Sequence, residues 1–181
     1  MEPLSAVEIL KLVCEGLEKR NIQYMVSGSY ALGMYVRMRT TRDIDIVINL
    51  KEEDLDSFLE IFNEDFHLNR RAILTEVKRK GMFNILSEKT GYKIDFIVRK
   101  STEYRQVEFE RRRRELMFGF EAWVTSVEDL ILSKLIWIQE LESGIQKKDI
   151  QNLLNETEEP LDMEYIKSWI NKLNLKTYNL I

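Results

Sequence analysis

The sequence is poor in the residues that build several common kinds of site. A single cysteine, Cys14, stands in 181 residues, which excludes an internal disulfide and any zinc site made from cysteines. Its neighbours Leu10, Val13 and Leu17 recur at helical spacing, so the thiol reads as part of a core. The only histidine, His67, has no second histidine to form a dyad with, and Phe66 and Leu68 beside it suggest a strand or loop edge. No apolar run is long enough to span a membrane, and the amino terminus lacks the basic–apolar–small pattern of a signal peptide. A cytoplasmic location without membrane partners is therefore expected. A net positive charge is missing too. The formal net charge of -4 argues against a general binder of nucleic acid.

What is present describes a globular chain with a real core: 44% of residues are hydrophobic and 32% are charged. The positive charge is gathered in clusters, at Arg37/Arg39/Arg42, Arg70/Arg71, Lys78-Arg79-Lys80 and Arg111 to Arg114. Each cluster alone reads as a solvated face. Together, on an acidic chain, they are what a protein needs to meet a local polyanion.

Periodicity then orders the chain. Ser5-Ala6-Val7-Glu8 forms a capping box for a helix running to Lys19. Tyr24 to Ser27 reads as a strand, Tyr30 to Arg37 as a short helix and Asp43 to Ile48 as a second strand. Lys51 to Asn63 and Asn69 to Lys80 read as amphipathic helices. Met82 to Ser87 and Tyr92 to Val98 read as a hairpin turning at Glu88 to Gly91. Strands are expected in Phe109 to Phe118, with Arg111 to Arg114 on an edge or exposed arm, and in Phe120 to Val124. A helix capped by Ser126 follows. The chain closes with a helix from Gln146, a polar linker at Thr157 to Pro160 and a last amphipathic helix from Leu161 to Leu173. No internal repeat or low-complexity tract is visible.

The chemistry concentrates in Val26 to Ile48. Asp43 and Asp45 lie two apart in a β-branched run, so a strand projects both carboxylates from one face and turns Ile44 and Ile46 toward a core. Like charges held side by side call for a cation, and hard oxygen donors suit Mg²⁺ together with substrate phosphates. Upstream, Gly28-Ser29 sits between an apolar strand and a helix, where backbone N–H groups can hold a phosphate. Lys134 is anomalous, because it falls on the apolar stripe of Leu130, Ile131, Leu135 and Ile138. Its charge must snorkel to solvent or find an anion.

Gly28-Ser29, thirteen intervening residues and then Asp43-x-Asp45 resembles the signature of the DNA polymerase β-type nucleotidyltransferase superfamily. Asp95, in Lys93-Ile94-Asp95-Phe96-Ile97, is similar to the third carboxylate of that superfamily. The helix bearing Lys134 and the segment Gln146-Lys147-Lys148-Asp149 resemble the bacterial AbiEii-like toxin group, though Gln146 stands where an arginine is common. The resemblance implies an α+β fold with a mixed sheet, a catalytic core over residues 1–125 and a C-terminal helical region over 126–181 that completes the cleft. It implies two Mg²⁺ ions on Asp43, Asp45 and Asp95, and a nucleoside triphosphate (NTP) held by Gly28, Ser29, Arg39, Lys134 and Lys148. The expected reaction moves a nucleoside monophosphate to an acceptor hydroxyl. The toxin group favours tRNA or another RNA as acceptor and a cognate antitoxin as partner. The alternatives are nucleotidylation (AMPylation) of a protein or of a small molecule such as an antibiotic, and a non-catalytic nucleotide- or protein-binding module.

Overall fold

The computed structural model describes residues 4–37 and 40–181. Helix α1 (Ala6–Lys19) opens the chain with the expected capping box, in which Ser5 accepts from the Glu8 N–H and the Glu8 carboxylate accepts from the Ser5 N–H. Strand β1 (Tyr24–Val26) runs into α2 (Gly28–Tyr35), so Gly28 and Ser29 form the first turn of the helix itself. Strand β2 (Asp43–Ile48) buries Ile44, Ile46 and Ile48 completely and leaves Asp43 and Asp45 on the other face, as the period of two requires.

The single helix expected over Lys51 to Asn63 is shorter, a 3-10 turn at Glu52–Asp54 and then α3 (Leu55–Leu59). The segment closes on itself through turns in which the Ile61 and Phe62 N–H groups bond to Phe58 and Leu59 carbonyls, and this seats both side chains in the core. Strand β3 (Phe66–His67) holds the histidine at an exposed edge position. Helix α4 (Arg70–Arg79) leads to β4 (Met82–Ser87) and β5 (Lys93–Val98), which pair as the expected hairpin.

The strand expected from Phe109 is instead the end of helix α5 (Glu103–Glu110), and β6 (Arg113–Met117) begins later. Tyr104 and Glu108, one helical turn apart, are both buried, and packing of that face outweighs the weak alternation in the sequence. Strand β7 (Phe120–Val124) is followed by α6 (Val127–Glu140), α7 (Gly144–Glu156) and α8 (Met163–Lys172).

The seven strands form one mixed sheet in the order β3-β4-β5-β2-β1-β7-β6. Strands β2 and β5 are parallel neighbours at its centre, with Asp43 opposite Lys93 and Asp45 opposite Asp95. The β4–β5 register adds Asn84 opposite Asp95. Phe96 anchors the floor beneath them, with the rings of Phe58 at 5.2 Å and Phe83 at 5.3 Å. Among the described residues, no helix is long and apolar enough to cross a membrane.

Candidate active site

Strand parity and register put the three carboxylates on one face of the sheet. Asp45 and Asp95 are side-by-side partners on parallel strands, so both project from the same face of the sheet. Asp43 and Lys93 make the next row of that face. Lys93 Nζ lies 2.8 Å from Asp95 Oδ2 and 3.5 Å from Asp43 Oδ1. These contacts, the Asp95 hydrogen bond foremost, hold the ammonium charged above the usual lysine range. The other oxygen of Asp95, Oδ1, is buried without a hydrogen-bond partner. The Asp45 carboxyl is pushed up to about 6, chiefly by burial and then by the charge of Asp95, with Lys134 pulling the other way.

The glycine turn lies directly against this cluster. The Ser27 N–H donates to the Asp45 carbonyl at 2.9 Å, which locks the end of β1 to β2. Gly28 then takes φ +59°, and a Cβ built on it would fall 1.9 Å from Asp45 Oδ2. Only glycine supplies both that dihedral and that clearance. Ser29 is buried in the same turn. Helix α2 thus begins at the carboxylates.

Lys134 resolves its anomaly with an anion. Its ammonium is buried and donates to Asp149 Oδ2 at 2.8 Å and Gln146 Oε1 at 2.9 Å, both on α7. Snorkelling is therefore not its solution. It also lies near enough to Asp45 to lower that group's proton affinity. Lys148, one residue before Asp149, is exposed on α7. Arg39 lies outside the described residues. Arg37 and Arg42 are exposed. Arg37 lines a recess of about 470 Å³ with Gly33 to Val36 and Glu156 to Glu159, away from the carboxylates.

Sequence reasoning did not single out Lys93, Gln146 or Asp149 as partners. A signal existed for the last two: a lysine on an apolar stripe needs an anion, and Gln146 and Asp149, three apart, share a helix face. Of the two readings of Arg111 to Arg114, an edge or an exposed arm, the structure supports the edge. Arg113 and Arg114 do lie on the edge strand, but all four side chains are engaged within the chain. Arg111 bonds Asp129 at 3.0 Å and Glu128 at 3.2 Å and lies 3.9 Å over the Tyr165 ring. Arg112 covers the Phe109 and Trp123 rings. Arg113 pairs with Glu159 at 2.5 Å, and Arg114 pairs with Glu18. A run of arginines looks the same in sequence whether its partners are solvent, ligand or distant carboxylates.

Known structures share this architecture. The antibiotic-resistance factor ANT(2'')-Ia, solved with adenylyl-2''-tobramycin, is 12% identical, with 93% of this chain and 96% of that chain covered at a TM-score of 0.59. JHP933 from Helicobacter pylori is 14% identical over 94% of this chain and 75% of that one, at a TM-score of 0.53. An antigenic nucleotidyltransferase-like protein from Paracoccidioides brasiliensis is 17% identical over 95% and 89%, at a TM-score of 0.50. These likenesses establish the fold. A search of curated proteins found no match. The family described as "Nucleotidyltransferase of unknown function (DUF6036)" matches residues 6–179, nearly the whole chain, and the chain belongs to that nucleotidyltransferase family.

Proposed function

We propose that the protein is a magnesium-dependent nucleotidyltransferase that moves a nucleoside monophosphate from a triphosphate to a hydroxyl of a small polar acceptor. One observation carries the reading: Asp45 and Asp95 are register partners on parallel strands, with Gly28 closed against Asp45. The donor set fits a hard divalent cation. It offers carboxylate oxygens, one of them the orphaned Asp95 Oδ1, and an Asp45 whose proton affinity is raised by burial and by the neighbouring charge of Asp95. Asp43, Asp45 and Asp95 would hold two Mg²⁺ ions, which when bound supply charge neutralisation for the phosphates and the leaving pyrophosphate.

The chain's own groups do the rest. The backbone N–H groups of Gly28 and Ser29, at the start of α2, hold the β and γ phosphates. Lys134, held by Asp149 and Gln146, supports the same charge, and Lys148 and Arg39 would add positive charge to it. The Asp95 carboxylate helps to remove the proton of the acceptor hydroxyl. The acceptor oxygen then bonds to the α-phosphorus, the α–β phosphoanhydride bond breaks and pyrophosphate departs. Residues 1–125 act as the catalytic core, and residues 126–181 complete the cleft.

The structural likeness to ANT(2'')-Ia, solved with an adenylylated antibiotic, favours a small hydroxyl-bearing acceptor. So do the ion pairs that Arg111, Arg113 and Arg114 make within the chain. A second reading keeps RNA, such as tRNA, as acceptor and places the protein beside the AbiEii-like toxins with an antitoxin. Exposed Arg42, one residue before the strand of Asp43 and Asp45, supports it. Incubation with α-labelled triphosphates, Mg²⁺ and either tobramycin, a panel of hydroxylated small molecules or bulk tRNA separates the two. Label is expected on a small molecule and lost in Asp45→Asn. Label on tRNA overturns the acceptor, and undiminished transfer by Asp45→Asn overturns the site.

A further inference from the structure

Two lysines flank the carboxylate cluster, and they are held very differently. Lys134 is 5% exposed and fixed between Asp149 and Gln146. The Lys93 side chain is 38% exposed, and its ammonium touches both Asp95 Oδ2 and Asp43 Oδ1. Its register partner is Asp43, and it stands two residues from Asp95 on the same face of β5. Among the described residues, no three acidic, histidine or cysteine side chains lie close enough together to cage a metal ion as they stand. The only cation bridging Asp43 and Asp95 among those residues is this ammonium.

We propose that Lys93 is the resident counter-cation of the metal-free site, displaced from Asp43 and Asp95 when a divalent ion binds and handed on to the phosphates of the triphosphate. The inference rests on the reading of these carboxylates as metal ligands. The physical reason is competition. A single-charged ammonium holds oxygens that a doubly charged hard ion binds more strongly, and a lysine stem is long and flexible enough to move aside without moving the strand. Once displaced, the ammonium faces solvent on the side from which an anionic substrate arrives. Metal entry would thereby create a phosphate contact and couple the two binding events.

The test measures binding without turnover. Calorimetric titration with MgCl₂ alone should give Lys93→Met a dissociation constant about tenfold lower than the parent, since no like charge opposes the ion. Lys93→Arg, which keeps the charge, should stay within about threefold of the parent. In saturating Mg²⁺, a non-hydrolysable triphosphate should bind Lys93→Met about tenfold more weakly. An unchanged Mg²⁺ constant in Lys93→Met overturns the displacement, and an unchanged nucleotide constant overturns the hand-over. Absence of Mg²⁺ binding by parent and variants alike removes the metal-site reading itself, and the inference with it. Metal-free circular dichroism confirms that each variant is folded, and a Lys93→Met melting point that falls without Mg²⁺ but recovers with it supports the proposal.

Discussion

Gly28 and Asp45 are in contact so close that no side chain fits between them: a Cβ on Gly28 would lie 1.9 Å from Oδ2, 2.5 Å from Cγ and 2.8 Å from Cβ of Asp45. The glycine at the start of α2 and the Asp45 carboxylate are therefore packed directly against each other.

Gly28→Ala should displace Asp45 and cost transfer activity at least about 100-fold, since small misplacements at a reacting centre are amplified. Gly91 is the matched control. It has φ +70°, but nothing lies within 4 Å of the place a Cβ would take there. Gly91→Ala should show only the backbone penalty, about 1 kcal/mol, with turnover intact. Activity and melting temperature measured on both variants separate dihedral strain from steric displacement. Equal activity in the two would refute the contact's role.

Lys134→Met should destabilise the fold by about 3–5 kcal/mol, because it removes the buried ammonium that pairs with the buried Asp149 carboxylate. A double variant, Lys134→Met with Asp149→Leu, should recover most of that loss. Urea unfolding of the parent, both single variants and the double gives the coupling directly. A neutral single variant would mean that the lysine reaches water after all.

Arg111→Met should lower stability by about 2 kcal/mol, a value discounted because the guanidinium is one-third exposed, by removing the partner of Asp129 and Glu128. Replacing Arg113 and Arg114 as well should lower the melting temperature further, while leaving the salt dependence of any tRNA binding unchanged. A salt slope that shrinks by about one per arginine removed would return these residues to an RNA interface.

Cys14 should be chemically silent in the native protein. Burial pushes its thiol up to about 12, so almost no thiolate exists at pH 8. A disulfide reagent should therefore react only at the rate of unfolding. The linked stability has a definite sign. The folded value is raised above the unfolded one of about 8.5, so this contribution is fully present below the unfolded value. It is lost as pH rises from there through about 12, at up to about 1.4 kcal/mol per pH unit. Comparing the parent with Cys14→Ala from pH 8 to pH 11 isolates it. Rapid native labelling at pH 8 would contradict the buried placement.

Local rules made much of this protein legible before any coordinates. The parity of Asp43 and Asp45 follows from two residues per strand repeat, and the three buried isoleucines between and beyond them obey it. The Ser5–Glu8 box, the Ser126 cap and the hairpin through Gly91 are short-range chemistry and stand where expected. The resemblance singled out Asp95, and its strand, β5, pairs with that of Asp43 and Asp45. A slip of one residue in that strand would have turned Asp95 to the opposite face.

The distant pairings emerged only with the tertiary structure. Helix α5 extends into the stretch where alternation suggested a strand, because burial of Tyr104 and Glu108 outweighs a weak local pattern. Arg111, Arg113 and Arg114 carry no mark in sequence of the carboxylates that engage them, some of them dozens of residues away. Lys134 required an anion by its position, but only the packing of α7 on α6 named Asp149. The order of residues was enough to say which groups the protein owns and which way each faces along its own element, because side-chain direction repeats with the backbone. Which charge meets which depended on the fold, because ion pairs are short-ranged in space and indifferent to distance along the chain.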